Sequence, residues 1–453
     1  MRLLRAAVIV LSVAVAVLLL VVRLAASGAW DRIDHRAAPR VTGADNLYFA
    51  LNDMDAQAAN LLLSSGGRGG LAPMPAQHAA AQRMYTASRH TISASLQTLA
   101  ASAQGDRQAT ATVVGFDDDF ARYQELVGRA LENDLHPAEK SAALGDYRTA
   151  TDLLRQSLLP AAQRLGQNND GAFEDTYRGA RSAADLQRVL LLVLGGCLLA
   201  TLLLTQFHLT RRFRRLLSPA LAAATTCAVV ACALGWSVLA AQSHDLKVAR
   251  RDAFDSVVAL SQARAMSYDA NADESRYLLD PGRRGTYEQS FEDTSQQLLT
   301  LPQATLGTYD ARLAAALTAY RAHHADLRFT GYYGDEFRNI TFPGERAAAE
   351  ATVDAYAVYE QDDRKVRTLV RQGQFQQAVA FCVGWDKDAS NYDFGQYDTA
   401  LRKLIGINAD AYTGAVAAGR GELTGRLAGA GAAVLAAAGL TVLALRPRLA
   451  EFR

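Results

Sequence analysis

Four long apolar runs interrupt an otherwise polar, alanine-rich chain. They lie at residues 6–22, 189–207, 220–241 and 427–445, and none of them contains a charged residue. A helix needs roughly 17 to 25 apolar residues to cross the ~30 Å hydrocarbon layer of a membrane. The pattern therefore predicts an integral membrane protein with four transmembrane helices.

The first run has one open alternative. Small residues at 25–29 follow it and would suit a signal-peptide cleavage site. Because the apolar core is long for a signal peptide, we interpret the run as a retained helix. Cleavage would leave the other three membrane helices unchanged.

The arginines indicate which parts of the chain lie inside the cell. The short loop between the second and third runs carries Arg211, Arg212, Arg214 and Arg215 without any acid, and both chain ends are also rich in arginine. Short loops of this kind stay on the cytoplasmic side. We therefore expect a multi-pass plasma-membrane protein with both termini in the cytoplasm and two large segments outside the cell membrane.

Both large segments have helical patterning. In the first, Phe120, Tyr123, Val127 and Leu131 repeat at helical spacing within a predicted helix over 117–131, which the acids at 117–119 would begin. Predicted helix breaks include the glycines at 66–70, 105, 145 and 373 and the Pro-Gly pair at 281–282. The sequence thus predicts an all-α fold with two tandem extracytoplasmic helical bundles.

The chain also has the pattern of a duplicated unit. Shifting it by 216 positions superimposes Asp53 on Asp269, the Leu pair at 62–63 on that at 278–279, and the first apolar run on the third. A second match aligns residues 144–150 with 372–378. Repetition of a membrane helix, bundle and membrane helix is the simplest explanation.

The expected organisation follows from these boundaries. It comprises a cytoplasmic stub and first membrane helix (1–26), a first bundle (27–187, segment one), a second membrane helix (188–207), a basic loop (208–219), a third membrane helix (220–241), a second bundle (242–425, segment two), a fourth membrane helix (426–446) and a cytoplasmic tail (447–453).

Composition and motifs exclude several classes of function. The chain has 47 Lys and Arg against 46 Asp and Glu, without the basic excess that nucleic-acid binding requires. It has no Walker loop, HExxH, nucleophile elbow or CxxC motif. The apolar runs lack the ionisable residues that transporters and proton pumps usually need at membrane depth. We therefore expect a protein that is not an enzyme and that has no catalytic residues, metal site, cofactor or nucleic-acid partner.

The basic loop is a candidate contact with a cytoplasmic partner. Arg211, Arg212, Arg214 and Arg215 would present a dense positive charge to it. Orientation by the positive-inside rule and attraction to anionic lipid explain the same residues, and this alternative stays open.

An aromatic, glycine-containing stretch at 331–344 is a candidate extracytoplasmic contact. It interrupts the helical pattern and contains Tyr332, Tyr333 and Phe337; Trp385 lies in a separate polar corner. Aromatic loops on rigid scaffolds are common binding surfaces. A connection packed by its own aromatic side chains is the alternative.

Two resemblances bear on function. Residues 144–150, Leu-Gly-Asp-Tyr-Arg-Thr-Ala, and the order of membrane helix, bundle and membrane helix resemble the four-helix-bundle sensor domain of chemoreceptors and sensor kinases. The whole layout is similar to the actinobacterial four-helix membrane protein that accompanies a glutamine-binding-type lipoprotein and the soluble Ser/Thr kinase G. This second resemblance implies a relay of amino-acid availability from the lipoprotein to the kinase. The chain is expected to depart from chemoreceptors, because we predict a duplicated unit and find no HAMP or signalling domain in the sequence.

These observations favour a transmembrane signal relay. The predicted cytoplasmic parts are short, so we expect the output to pass through a separate partner such as a kinase, with a solute-binding lipoprotein as the outer partner. Small residues four apart, such as Gly425 and Gly429, would also allow a homodimer within the bilayer. The alternatives are a structural or assembly membrane protein and a stand-alone small-molecule receptor.

Overall fold

The computed structural model describes residues 2–102, 107–213 and 218–450. Within these ranges every regular element is a helix, and the only β feature is an isolated bridge between Thr300 and Thr330. The α-helices are α1 (Arg2–Arg32), α2 (Ala38–Ser64), α3 (Pro75–Ser102), α4 (Arg107–Asp134), α5 (Lys140–Leu153), α6 (Leu159–Phe213), α7 (Pro219–Lys247), α8 (Asp255–Leu279), α9 (Arg284–Leu298), α10 (Tyr309–Ala322), α11 (Gly331–Asn339), α12 (Glu345–Arg371), α13 (Phe375–Cys382) and α14 (Ser390–Ala450). The predicted all-α fold is confirmed.

Four helical runs are long and apolar enough to cross a membrane. They are Leu3–Ser64, Pro137–Arg211, Pro219–Leu279 and Ser390–Arg446 among the residues described. Three π-helical turns, which widen a helix without ending it, join α1 to α2, α5 to α6 and α7 to α8. Each run therefore contains one predicted membrane helix and also a long polar stretch, as expected of a membrane protein with four spanning helices.

Several predicted helix breaks are confirmed and others are wrong. Gly66 and Gly373 have φ of 85° and 75° in the turns after α2 and α12, where a glycine is strongly favoured. Gly145 instead lies inside α5, and the acids at 117–119 lie well inside α4, which begins at Arg107. Gly105 lies outside the described residues. The stretch at 331–344, expected to be irregular, contains α11.

The chain divides into two compact units. Unit 1 consists of Met1–Ala38, Ala172–Arg251 and Ala411–Arg453, and it contains all four apolar runs. Unit 2 consists of Pro39–Gly171 and Asp252–Asp410. Most of segment one and most of segment two therefore pack together within a single unit.

Two hydrophobic cores lie among the described residues of unit 2. The first is built mainly by segment one, around Leu51, Phe120 and Tyr147, but it also includes Leu278 and Val379 of segment two. Each Leu or Phe that is fully buried contributes roughly 1.5–3 kcal/mol. Segment one therefore depends on segment two to complete its core.

The second core belongs almost entirely to segment two. It is aromatic: Tyr309, Tyr333, Tyr356, Tyr359 and Tyr397 are all at most 2% exposed. Except for Tyr309, these rings contact one another at tilted and stacked angles, which favour aromatic packing beyond the area buried. Four of the five hydroxyls make hydrogen bonds, whereas that of Tyr359 has no partner among the described residues, so this core is polar as well as apolar.

In unit 1, small residues let helices pack closely. A Cβ atom at Gly235 of α7 would lie 3.0 Å from Leu191 and 3.1 Å from Leu19, so only glycine fits there without displacement. Of the predicted small-residue pair in α14, Gly429 faces Leu234, whereas no group of the described residues lies within 4 Å of a Cβ at Gly425.

Candidate functional site

The predicted cytoplasmic contact is only partly described. Arg211 is exposed near the end of α6, and its guanidinium lies 5.4 Å from the ring centroid of Phe207. The side chains of Arg212, Arg214 and Arg215 lie outside the described residues. The proposed docking role of these arginines therefore stays a prediction.

The structure separates the four aromatic candidates. Tyr333 is fully buried and its hydroxyl bonds to that of Tyr397, while Phe337 is 8% exposed in the same aromatic core. Tyr332 is half-buried and donates a hydrogen bond of 3.1 Å to Gln262. Tyr333 and Phe337 are thus core residues that a partner at the surface could not reach, and of the four only Trp385, at 40% exposed, is openly presented.

Trp385 lies in a groove of unit 2 formed by both segments. The groove, which we call the Trp385 groove, has a volume of about 410 Å³ and is lined by Ala76, Gln77, Ala80, Arg83, Met84, Trp385 and Asp386. Arg83 and Asp386 make no ion pair with any residue in the described part of the chain. An exposed indole beside one unpaired cation and one unpaired anion can hold a small polar solute with an apolar part.

Deeper in unit 2, five charged residues form what we call the charge network: Asp55, Arg155, Asp269, Asp273 and Arg276. Segment one supplies Asp55 from α2 and Arg155 from the π turn before α6; segment two supplies the other three from α8. The helical periodicity of α8 places residues 269, 273 and 276 on one face, since they are four and three apart.

Arg276 is the centre of the charge network. Its side chain is 0% exposed, and its guanidinium lies 2.6 Å from Asp55, 2.9 Å from Asp269 and 2.6 Å from Asp273. A buried cation is tolerated only when anions and hydrogen bonds replace the water it has lost. Three carboxylates from two segments do so here.

The carboxylate of Asp55 accepts hydrogen bonds from several helices. Besides Arg276, the hydroxyls of Tyr123 and Tyr147 donate to its carboxylate at 2.8 Å and 3.1 Å, and Thr151 lies at 3.3 Å. Asp55 thereby connects α2 with α4, α5 and α8. A change in the charge on this one carboxylate would disturb four helices.

Arg155 is the partly exposed member of the network. Its side chain is 24% exposed and lies 3.1 Å from Asp269 and 2.6 Å from Asp273, and it also donates to Ser290 of α9. Two arginines face three aspartates, which leaves a net charge of −1. The second carboxylate oxygen of Asp273 has no hydrogen-bond partner among the described residues.

Further ion pairs join the two segments near the network. Arg148 donates to Asp280 at 2.6 Å, and Arg283 donates to Asp152 at 2.8 Å. Arg148 and the neighbouring Tyr147 belong to the 144–150 motif that carries the sensor-domain resemblance. This motif therefore faces segment two in the folded protein.

The residues paired by the 216-position shift have different partners. Asp269 binds two arginines, whereas Asp53 accepts hydrogen bonds from Gln57 at 2.9 Å and from Ser88. Asn60, which corresponds to Arg276, accepts a hydrogen bond of 2.7 Å from Ser275. The duplication itself stays a prediction, and if it occurred the two copies have diverged at these positions.

A group of buried acids, which we call the acid cluster, lies beside the aromatic core. Glu360 accepts hydrogen bonds from Ser295 at 2.7 Å and Tyr356 at 2.5 Å. Asp363 forms an ion pair with Arg367 at 2.5 Å. The third acid, Glu274, accepts a hydrogen bond of 2.8 Å from Ser390. The remaining member is Asp362.

Burial controls the protonation of these acids. It raises the pKa of Glu360 to about 8, and burial together with the nearby Asp393 raises the pKa of Asp362 to about 7. The pKa of Asp363 rises to about 6, again mainly through burial and despite the charge of Arg367. These groups take up protons near neutral pH. No set of three or more His, Cys, Asp or Glu side chains in the described ranges is arranged to hold a metal ion.

Sequence reasoning did not identify the charge network. The one feature of the sequence that could have indicated the network is Arg276, a lone cation in the helical sequence Ser-Arg-Tyr-Leu-Leu. In the other half of the proposed repeat the aligned residue is an Asn. Its anionic partner Asp55 is 221 residues away, so local pattern alone does not identify it.

Comparison with known proteins connects this architecture with sensing. Residues 29–178, about a third of the chain, match the family model described as actinobacterial sensor domain. That stretch includes Asp55, Tyr123, Tyr147 and Arg155. No curated protein and no solved structure matches the chain. The match supports a sensing or signalling role for a protein with four candidate membrane-spanning helices.

Proposed function

We propose that this chain is a transmembrane signal relay, which passes an extracytoplasmic amino-acid or binding-protein signal to a cytoplasmic partner such as a Ser/Thr kinase. The sensor-domain match supports the sensing part of this proposal. The resemblance to the lipoprotein-associated actinobacterial protein suggests the partners. The proposal assigns no catalytic step to the chain itself.

One structural observation gives the main support for the proposed relay. Asp55, Arg155 and Arg276 belong to three different helical runs, Leu3–Ser64, Pro137–Arg211 and Pro219–Leu279, each of which also contains an apolar window. Packed cores and buried ion pairs tend to switch between discrete arrangements rather than deform gradually. A rearrangement of the network would therefore displace three membrane helices together.

The input site that we propose is the Trp385 groove. It is shared by the two segments, so a solute bound there would favour one arrangement of the segments over another. A ligand shifts such an equilibrium only by its difference in affinity for the two states. Binding of a solute-loaded lipoprotein at the same surface is the second form of input.

The output surface that we propose includes Arg211 and the basic loop that follows it. The positive-inside rule supports a cytoplasmic position for this loop and for both termini. A separate kinase would read the displacement there. A second copy of the chain is the remaining partner that we propose, through the face of α14 that includes Gly425.

Spin-label distance measurements test the relay. In a variant that lacks Cys197, Cys227, Cys232 and Cys382, labels at Arg211→Cys and at the exposed Ala222→Cys would report the separation of α6 and α7. We expect that separation to shift in full-length protein in nanodiscs when an amino-acid mixture or a purified solute-binding lipoprotein is added. The shift should be lost in Asp55→Asn and kept in the surface variant Asp354→Asn.

The outcomes of this experiment distinguish a relay from a stand-alone receptor and from a structural protein. Binding of amino acids without a change of distance would favour a stand-alone receptor, and absence of both binding and change would favour a structural protein. Labelling of Arg211→Cys by an impermeant maleimide added outside intact cells would overturn the orientation and with it the relay.

A further inference from the structure

Helices α1, α6 and α7 of unit 1 enclose a cavity of about 90 Å³. Much of its wall is made of small apolar side chains, among them Ala25, Ala29 and Ala183. The remaining wall includes the indole of Trp30, the amides of Gln187 and Gln242, and the exposed Arg32. The cavity thus combines an apolar surface with a few polar groups.

The cavity lies at the ends of three apolar runs. Val22 and Leu239, which line it, are at or near the last positions of the first and third runs, and Gln187 lies just before the second run begins. In a membrane protein this is the depth at which hydrocarbon meets the polar headgroup region. The cavity is therefore placed where the glycerol esters of a phospholipid lie.

Three of the four polar side chains in the wall already make hydrogen bonds, since Arg32 donates one of 3.0 Å to the carbonyl of Gly28. Trp30 donates a hydrogen bond of 2.7 Å to the Gln242 amide oxygen, and the Gln242 amide nitrogen donates one of 2.6 Å to the carbonyl of Gly419. Gln187 is 9% exposed and has no hydrogen bond to any residue that the structure describes. Buried amides are normally paired, so the Gln187 amide calls for a partner from outside the chain.

We propose that this cavity binds a phospholipid of the surrounding bilayer. A segment of one acyl chain packs against the alanines, and an ester carbonyl accepts a hydrogen bond from the Gln187 amide. Water is a poorer occupant because an ordered buried water needs two to four polar partners, whereas most of the wall is made of apolar side chains.

Lipid occupancy would be linked to the charge network. The three helices that form the cavity belong to the same helical runs as Asp55, Arg155 and Arg276. A bound lipid sets the spacing of those helices and so adds a second input, independent of the solute signal.

The single-tryptophan form of the full chain tests the proposal. The sequence has three tryptophans, and Trp236→Phe with Trp385→Phe leaves Trp30, which is 1% exposed. In nanodiscs of phosphatidylcholine brominated near the start of its acyl chains, we expect at least a twofold loss of Trp30 emission relative to unbrominated lipid. Bromine quenches an indole only at short range, so bromines that enter the cavity would quench the buried Trp30.

Filling the cavity should remove this quenching. Ala183→Leu is expected to restore most of the emission, whereas Ala240→Leu, at an exposed position of α7 outside the cavity wall, should leave the quenching unchanged. Native mass spectrometry of Gln187→Leu, which keeps the bulk but not the amide, should show a several-fold lower fraction of chains that retain a lipid.

Two results would overturn the proposal. One is full emission of Trp30 in brominated lipid, which would mean that no acyl chain reaches the cavity. The other is undiminished quenching in Ala183→Leu, which would mean that bromines contact Trp30 by another route. If Ala183→Leu fails to fold by circular dichroism, equal lipid retention in Gln187→Leu and its parent overturns the proposal instead.

Discussion

The guanidinium of Arg276 and the carboxylate of Asp55 lie 2.6 Å apart, both with fully buried side chains, although 221 residues separate them in the chain. This pair joins segment one to segment two inside a single compact unit. Because each charge has lost its water, the two depend on one another far more than a surface pair does.

Replacing Arg276 should strongly destabilise unit 2. Arg276→Met leaves Asp55, Asp269 and Asp273 buried near one another without their shared cation, and we expect a loss of about 3–5 kcal/mol in the free energy of unfolding. Chemical unfolding of the full chain in detergent, followed by circular dichroism, measures it.

Two further variants make this test specific. Arg321→Met breaks a half-exposed pair with Asp354 and should cost at most about 1 kcal/mol. Adding Asp55→Asn to Arg276→Met should recover part of the lost stability, since it removes one uncompensated charge. Equal losses in Arg276→Met and Arg321→Met would contradict the central role of Arg276.

The acid cluster predicts that stability falls as pH rises. Burial raises the pKa values of Glu360, Asp362 and Asp363 in the folded state to about 8, 7 and 6, above the ordinary values of 4.5, 3.8 and 3.8 for these carboxyl groups. The folded state therefore holds protons that the unfolded state releases, and stability decreases as pH rises through this range. The melting temperature of the full chain should drop by several degrees between pH 6 and pH 8.5.

Glu360→Gln should flatten this dependence, because the neutral amide mimics the protonated acid. The exposed Glu125→Gln serves as the matched control and should leave the slope unchanged. A melting temperature that rises over the same interval would show that the buried acids are ionised in the folded protein.

A glycine in α14 should be essential for the packing of unit 1. A Cβ atom at Gly419 would lie 2.3 Å from the Trp30 ring, which is held by its hydrogen bond to Gln242. Gly419→Ala should therefore destabilise unit 1 by about 1–3 kcal/mol and shift the emission of Trp30. Gly421→Ala, where a Cβ atom would meet no described residue within 4 Å, is the control and should be neutral or slightly stabilising.

The Trp385 groove should account for direct binding of a solute. Trp385→Ala and Arg83→Ala should each weaken binding of a responding L-amino acid by tenfold or more, roughly 1.4 kcal/mol, measured by calorimetry on the full chain in nanodiscs. Arg89→Ala changes an exposed arginine of the same helix outside the groove and should leave the affinity unchanged. Unaltered affinity in both groove variants would place the solute site elsewhere.

The membrane helices and the all-α fold class could be predicted from the sequence because they depend on local properties. The free energy of transferring an apolar window such as 189–207 into hydrocarbon is a sum of contributions from neighbouring residues. No distant contact is needed to evaluate it. Helical periodicity around Phe120 and Tyr123 is local in the same sense, although it located the start of α4 ten residues too late.

Contacts between the two segments could not be predicted from the sequence and became known only from the tertiary structure. Asp53 and Asp55 look alike in sequence, yet they are about 200° apart around α2, so one binds Ser88 and Gln57 while the other binds Arg276. Tyr333 and Trp385 likewise looked equally suited to a surface, and packing buried one and exposed the other. Which charge is neutralised, and which ring is covered, depends on residues 35 to 221 positions away that become neighbours only when the chain has folded.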